Sequence, residues 1–327
     1  TLNEIFFEEL EIRKPDFFLE VVGQDLGETM GNVLSKSYTL FSELKPDALL
    51  VLGDTNSVLC TISAKRLKIP IFHMEAGNRC FDQNVPEELN RKIADHTSDI
   101  NLTYTENSRR YLLAEGFRKD HVFCVGSPLK EVLDFYSNKI NKSLILEKLK
   151  LNKEKYFIAS IHREENLDTD GNFKSIMEAL NKAVDLHDTQ LIFSTHPRTK
   201  KKIEKLKLKV NPRIKFIEPL GFFDYVFLQK NASITLSDSG TISEESTILD
   251  FKAVSIRTST ERPEAIDHGN ILLGGIRSES IINSINITLG LNDKLDPPIE
   301  YLKTDNSNTV LKLIQSFTPI INSETWK

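Results

Sequence analysis

The chain has 327 residues, 39% apolar and 27% charged, with 42 Lys and Arg against 47 Asp and Glu for a formal charge of −5. That length suits about two domains, and the composition excludes a disordered, collagen-like or low-complexity chain. The acidic balance argues against a general nucleic-acid binder while leaving room for a local basic pocket.

Cys60, Cys80 and Cys124 form no Cys-x-x-Cys pair and are too few for a disulfide framework. No apolar run approaches the ~18 residues of a membrane span, and no signal peptide opens the chain, so a cytoplasmic protein is expected. The sequence starts at Thr1 and enters at once a helix-like stretch, Leu2–Leu10, so part of the native N-terminus is expected to be missing.

Short apolar runs alternate with amphipathic segments, the pattern of strand–helix units and mostly parallel sheets. In the first half, strands are predicted at Asp16–Val22, Asp47–Leu52, Ile69–Met74, Ile100–Tyr104 and His121–Val125. Helices are predicted at Asp25–Glu43, Thr55–Leu67, Glu87–Thr97, Glu106–Glu115 and Leu129–Tyr136. Residues 137–155, rich in Lys and Asn, read as a solvated helix and connector, and as the domain boundary. The second half has strands at Tyr156–Ile161, Gln190–Ser194, Ile214–Ile217, Ser233–Leu236 and Val254–Ile256. Its helices lie near Asn172–Leu186, Lys200–Lys209, Phe223–Gln229, Thr241–Leu249 and Ser278–Leu289, with a last one near Val310–Ser316. The fold class expected is α/β, two doubly wound Rossmann-like domains (1–150 and 151–303) facing across a cleft. In such sheets ligands bind beyond the carboxyl ends of the strands.

Motifs fall at those ends. Asp54, in Gly53-Asp54-Thr55, is suited to act as a base, to hold a ribose, or to cap a helix. In IPIFHMEAGNRC, Glu75 ends a strand, and because a buried carboxylate needs compensation, Arg79 is its candidate partner. In VPEELNRKIADH, Glu87 and Glu88 suit the positive end of a helix starting at Pro86, and Glu87 and Arg91 have i,i+4 spacing. His162, with Arg163 and Asn166, forms a polar cluster that fits a general acid or a phosphate ligand, and His196 with Arg198 repeats it one strand later. Ser237-Asp238-Ser239-Gly240-Thr241 leads a strand into a helix, an arrangement that binds phosphate through backbone N–H groups, yet it matches neither a Walker loop nor a dinucleotide turn. Glu244 or Glu245 is placed to accept ribose hydroxyls, and Arg262 suits a phosphate. The scattered His residues give no metal-binding spacing, and no Gly-x-Ser-x-Gly elbow is present.

The order GDT, HMEAGNR, PEELNR, HREEN, SDSGTISEE, TERPE resembles the non-hydrolysing UDP-N-acetylglucosamine 2-epimerases over about residues 1–290. The resemblance implies the glycosyltransferase-B architecture, with the C-terminal helix in 304–327 crossing back to the first domain, and a homodimer. It also implies inversion at C2 of a UDP-N-acetylhexosamine without any cofactor or metal. A base removes the C2 proton as UDP leaves C1, and UDP re-adds to the resulting 2-acetamidoglucal as C2 is protonated from the other face. By motif match Asp54, Glu75 and Glu87 are the acid–base carboxylates and His162 acts beside the diphosphate. Ser239, Gly240, Thr241 and Arg262 take the phosphates and Glu245 the ribose. Arg79, Arg91, Arg163 and His196 are further substrate contacts.

The family's opening strand and Gly-Thr-Arg-Pro-Glu turn have no counterpart here. Thr241 stands where many members have Gly, and HMEAGNRCFDQ looks more like the branch acting on 6-deoxy or uronic UDP-sugars in capsule and O-antigen synthesis. A UDP-sugar glycosyltransferase, a hydrolysing epimerase and a non-catalytic nucleotide-sugar sensor are the alternatives. The three stacked carboxylates in the first domain favour epimerisation.

Overall fold

The structure, a computed structural model, describes residues 7–167, 169–195, 197–291 and 295–326. The chain divides into two compact units, Pro15–Glu131 with Ile299–Lys327, and Val132–Pro298 with Thr1–Lys14.

The unit containing Pro15–Glu131 is built on four parallel strands in the order β1 (Leu49–Leu52), β2 (Ile71–Met74), β3 (Ile100–Thr103), β4 (Val122–Cys124). Apolar runs such as Ile69–Phe72 are covered on both faces, as parallel sheets require. Val51, His73 and Asn101 lie side by side across β1, β2 and β3. The helix Leu26–Leu44 starts at Asp25, whose carboxylate accepts the Glu28 N–H at 2.8 Å. Other helices are Cys60–Arg66, Glu87–Thr97 and Glu106–Ala114. The helix Asn306–Glu324 buries Val310 and Ile321 against Phe72, Ile100, Leu102 and Val125. It extends past both predicted ends and contains Pro319 within its length.

The strand expected at Asp16–Val22 is absent: these residues form an irregular stretch. The carbonyls a strand would offer to a neighbour are taken by side chains of the following helix, Asn32 donating to the Val21 oxygen at 3.2 Å and Lys36 to that of Glu20 at 2.7 Å. Glu20 itself is left-handed, with φ 48°.

The other unit has six parallel strands, β5 (Tyr156–Ser160), β6 (Gln190–Ser194), β7 (Ile214–Ile217), β8 (Ile234–Ser237), β9 (Ala253–Ser255) and β10 (Leu272–Leu273), in the order β10-β9-β8-β5-β6-β7. The chain winds one way from β5 and the other way from β8, so the switch point lies between those two strands. One face packs Phe157, Phe193 and Leu236 under Phe173, Met177, Leu180 and Ile281, from the helices Asp170–Leu186 and Ser278–Gly290. The other face packs Tyr156, Ile158 and Ile192 with Leu228, Ile145 and Leu151. The Lys-rich stretch 137–155 therefore has a buried side. It carries the helices Ser137–Asn141 and Ile145–Leu149, and the division falls at 131/132, ahead of the expected boundary at 150. Among the described residues no helix is long and apolar enough to cross a membrane.

Candidate active site

In the unit built on β1–β4, the carboxyl ends of β1 and β2 each turn sharply. Asp54 follows β1. It does not cap the next helical turn, whose cap position is Thr55; its Oδ2 accepts instead from Arg91 Nε at 2.9 Å. Glu75 follows β2 in the left-handed region, φ 67°, a conformation that a non-glycine residue keeps only under tertiary constraint. Asn78 Nδ2 donates to Glu75 Oε1 at 3.3 Å, and Glu75 Oε2 lies 3.4 Å from where a Cβ on Gly53 would stand. The carboxylate of Glu75 thus reaches the turn that carries Asp54. Two residues on, Gly77 has φ 78° and packs so closely that a Cβ would collide with the Ser108 carbonyl.

The helix Glu87–Thr97 covers these turns. Glu87 is half-buried in its first turn, and among the described residues its carboxylate takes no hydrogen bond. The expected Glu87–Arg91 pair is not formed. Arg91, 2% exposed, donates through Nη1 to Glu88 at 2.8 Å and through Nε to Asp54. Burial alone would raise the Glu88 carboxyl, but N–H and S–H bonds from Cys80 and the Arg91 guanidinium outweigh it and hold Glu88 below its usual range. The expected Glu75–Arg79 pair is also not formed. Arg79, 1% exposed, meets Asp95 at 2.7 Å and grips Glu115 with two bonds of 2.8 Å, so its guanidinium is committed to the scaffold.

In the unit built on β5–β10, the switch point between β5 and β8 carries His162, Arg163 and the Asp238–Thr241 loop. Asp238 is fully buried and accepts the backbone N–H groups of His162 and Arg163 and the Asn166 amide, at 2.9–3.1 Å. The His162 ring, half exposed, lies 3.2 Å from the same carboxylate. Ser239 and Thr241 share a hydroxyl bond of 3.0 Å, and Thr241 donates to Glu245 at 2.7 Å, ahead of the helix Ile242–Leu249. A Cβ on Gly240 would collide with Glu261 and stand 3.0 Å from Arg262 Nη1, so glycine is what lets this backbone pass beneath them. Glu261 is ringed by Arg257 at 2.8 Å and Arg163 at 3.6 Å. Burial would raise its carboxyl, but Arg257, Arg262 and Arg163 together hold it well below the carboxylate range. Arg262 pairs with Glu244 at 2.7 Å. Glu245 accepts also from Gln229 at 2.8 Å, and its carboxyl is pushed up by burial more than these bonds bring it down. His196 lies outside the described residues.

The motif reading gave His73, Asp95 and Glu261 no role, placed Glu88 only at a helix start and placed Asp238 only within the phosphate loop. For Glu88, Arg91 and Asp95 a signal existed: spaced three and four apart, they line one helix face together with Ala94, which is fully buried. Among the described residues no three His, Cys, Asp or Glu side chains gather as a metal site.

Two units of parallel strands with polar residues at their carboxyl ends make this an α/β protein of the glycosyltransferase-B type of fold, and the comparisons supply its class. A family model described as UDP-N-acetylglucosamine 2-epimerase matches residues 1–315, and the chain belongs to that family of isomerases. It is 36% identical over 298 residues to the UDP-N-acetylglucosamine 2-epimerase of Methanocaldococcus jannaschii, covering 88% of this chain and 81% of the relative. A crystal structure of that organism's enzyme in complex with UDP-GlcNAc and UDP matches with a TM-score of 0.89 at 34% identity, over 96% of this chain and 88% of that one. The UDP-N-acetylglucosamine 2-epimerase structure from Rickettsia bellii matches with a TM-score of 0.91 at 43% identity, over 99% and 88%. The UDP-2,3-diacetamido-2,3-dideoxy-D-glucuronate 2-epimerase of Pseudomonas aeruginosa is 33% identical over 294 residues, 89% of this chain and 81% of the relative.

Proposed function

We propose that this chain interconverts UDP-GlcNAc and UDP-ManNAc by non-hydrolysing inversion at C2, through loss of UDP to 2-acetamidoglucal and its re-addition. The observation that carries the proposal is the pair of adjacent strand-end turns, with Glu75 Oε2 beside Gly53 and Asp54 next in the chain. Inversion needs a proton removed from one face of C2 and another delivered to the opposite face, a task for two or more carboxylates. Asp54, Glu75 and Glu87 take those roles. Arg91 orients Asp54. The Ser239–Thr241 backbone and Arg262 receive the diphosphate at the switch point, His162 and Arg163 flank it, and Glu245 accepts the ribose hydroxyls. Charge grows on the departing UDP, and fixed N–H and guanidinium donors are what stabilise it. The family resemblance further supports a homodimer in the cytoplasm that uses no cofactor beyond its substrate.

A second reading keeps the reaction and changes the sugar. The identity with the diacetamido-glucuronate epimerase and the HMEAGNRCFDQ segment favour a UDP-HexNAc modified at C3, C5 or C6. Proton NMR of the protein with UDP-GlcNAc in deuterated water separates the readings. Loss of the C2 proton signal with growth of UDP-ManNAc is the expected result. Free N-acetylmannosamine plus UDP would select hydrolysis. An unchanged spectrum, with turnover of a uronic or 6-deoxy UDP-HexNAc, would move the assignment to the second sugar.

A further inference from the structure

We infer that His73 is a positioning residue for the epimerase reaction, a buried imidazolium whose two N–H groups tie together the turns carrying Asp54 and Glu75 and the helix carrying Glu87. The inference rests on the proposed function for its catalytic meaning and on geometry for its charge.

His73 sits in β2 between β1 and β3 and has no exposed surface. Its Nε2 is 2.9 Å from the Gly53 carbonyl oxygen, and its Nδ1 is 2.8 Å from Asp95 Oδ1. Neither partner has a proton to give: a carbonyl oxygen and a carboxylate only accept. A neutral imidazole has one donor, and would face one of these oxygens with a bare nitrogen lone pair in a dry site. The ring satisfies both by carrying both protons. Burial alone would drive its pKa down, but the bond and charge of Asp95, the Gly53 bond and the charge of Glu75 outweigh it and raise the pKa.

Each bond has a consequence for the candidate carboxylates. The Gly53 carbonyl is the peptide group leading into Asp54, so the Nε2 bond fixes the direction in which Asp54 leaves the strand. Asp95 lies on the helix that starts at Glu87, and it also accepts the Gly77 N–H at 3.2 Å and pairs with Arg79. Through Asp95 the ring therefore pins the turn after Glu75 and the helix at once. The surrounding groups make the charge sustainable. From β3, Asn101 donates to the Asp95 carbonyl at 3.2 Å, and the helix Cys60–Arg66 turns Lys65 away to Asp99. Arg79 is shared with Glu115, so two cations, His73 and Arg79, stand against the carboxylates of Asp95 and Glu115, with Glu75 the further anion nearby.

The test uses the whole chain labelled with ring-15N histidine, alongside His73→Gln and His73→Asn. Gln offers an amide in place of Nε2 and Asn one in place of Nδ1, so each keeps one bond and drops the charge. The expected spectrum shows one slowly exchanging ring with both nitrogens protonated at about pH 8, where exposed imidazoles are neutral. The expected kinetics are a fall in kcat of about tenfold or more with the UDP-sugar KM changed less than about twofold, since the loss is confined to groups acting in the transition state. A buried ring carrying a single proton at that pH, or folded variants with wild-type kcat, would overturn the inference. A role in folding alone would lower the melting temperature and leave kcat per folded molecule intact. The spectrum decides the charge of His73 whether or not the chain epimerises, so the two readings fail separately, and it needs no variant to fold.

Discussion

The two units treat their strand-end carboxylates in opposite ways. After β8, Asp238 is wholly buried and saturated by two backbone N–H groups and an amide. After β1 and β2, Asp54 and Glu75 remain partly exposed, and Glu87 at the start of the helix Glu87–Thr97 takes no hydrogen bond among the described residues. A carboxylate whose lone pairs are all engaged shapes a loop, while one with open sites can accept or deliver a proton. The contrast separates a carboxylate that fixes a loop from the carboxylates proposed above for proton transfer.

The sharpest way to break the comparison is Asp54→Asn or Glu75→Gln. Either should lower C2 proton exchange in deuterated water by about a thousandfold, within the range general acid–base groups supply, while UDP affinity measured by calorimetry survives. Near wild-type exchange in both variants would remove these carboxylates from the chemistry. A smaller effect belongs to the other unit: Arg262→Ala should weaken UDP binding by roughly ten- to a hundredfold, the loss of a charge-assisted contact worth about 1.5–3 kcal/mol. An unchanged Kd would count against its phosphate role.

The smallest effect concerns Glu245, whose pKa is raised on folding. The stability this contributes is fully present below the unfolded carboxyl value of about 4.3 and is lost as pH rises through the folded value. The ionised carboxylate is therefore less favourable in the folded chain than in the unfolded one, and Glu245→Gln should raise the melting temperature at neutral pH by roughly 2 °C, the equivalent of about 1 kcal/mol in a chain of this size. The gain should vanish near pH 4. A gain independent of pH would point to packing instead.

Much of this was legible in the sequence where the signal was local. Apolar runs ending in Gly-Asp-Thr, Glu-Ala-Gly and Ser-Asp-Ser-Gly located β1, β2 and β8 and the polar residues at their ends. Partners were not legible. Arg79 lies four residues from Glu75, yet its partner Glu115 is 36 residues away, reached only once the helix Glu106–Ala114 has packed. Asp16–Val22 reads as a short apolar run like a strand, but Asn32 and Lys36 claim its carbonyls from a helix the pattern could not foresee as a competitor. His73 reads as one more residue in an apolar run, because its two acceptors come from the turn after the neighbouring strand and from a later helix.

The helix Asn306–Glu324 ties the sheet of β1–β4 to a stretch of chain made long after it. The segment ending at Glu131 is followed by the whole of Val132–Pro298 before Ile299 begins the return. A ribosome adding ~5–20 residues per second would leave Phe72, Ile100 and Leu102 without their cover for on the order of ten seconds or more. During synthesis the unit built on β1–β4 is thus completed only after Val132–Pro298 has been made, and its apolar sheet face is the surface a chaperone would meet.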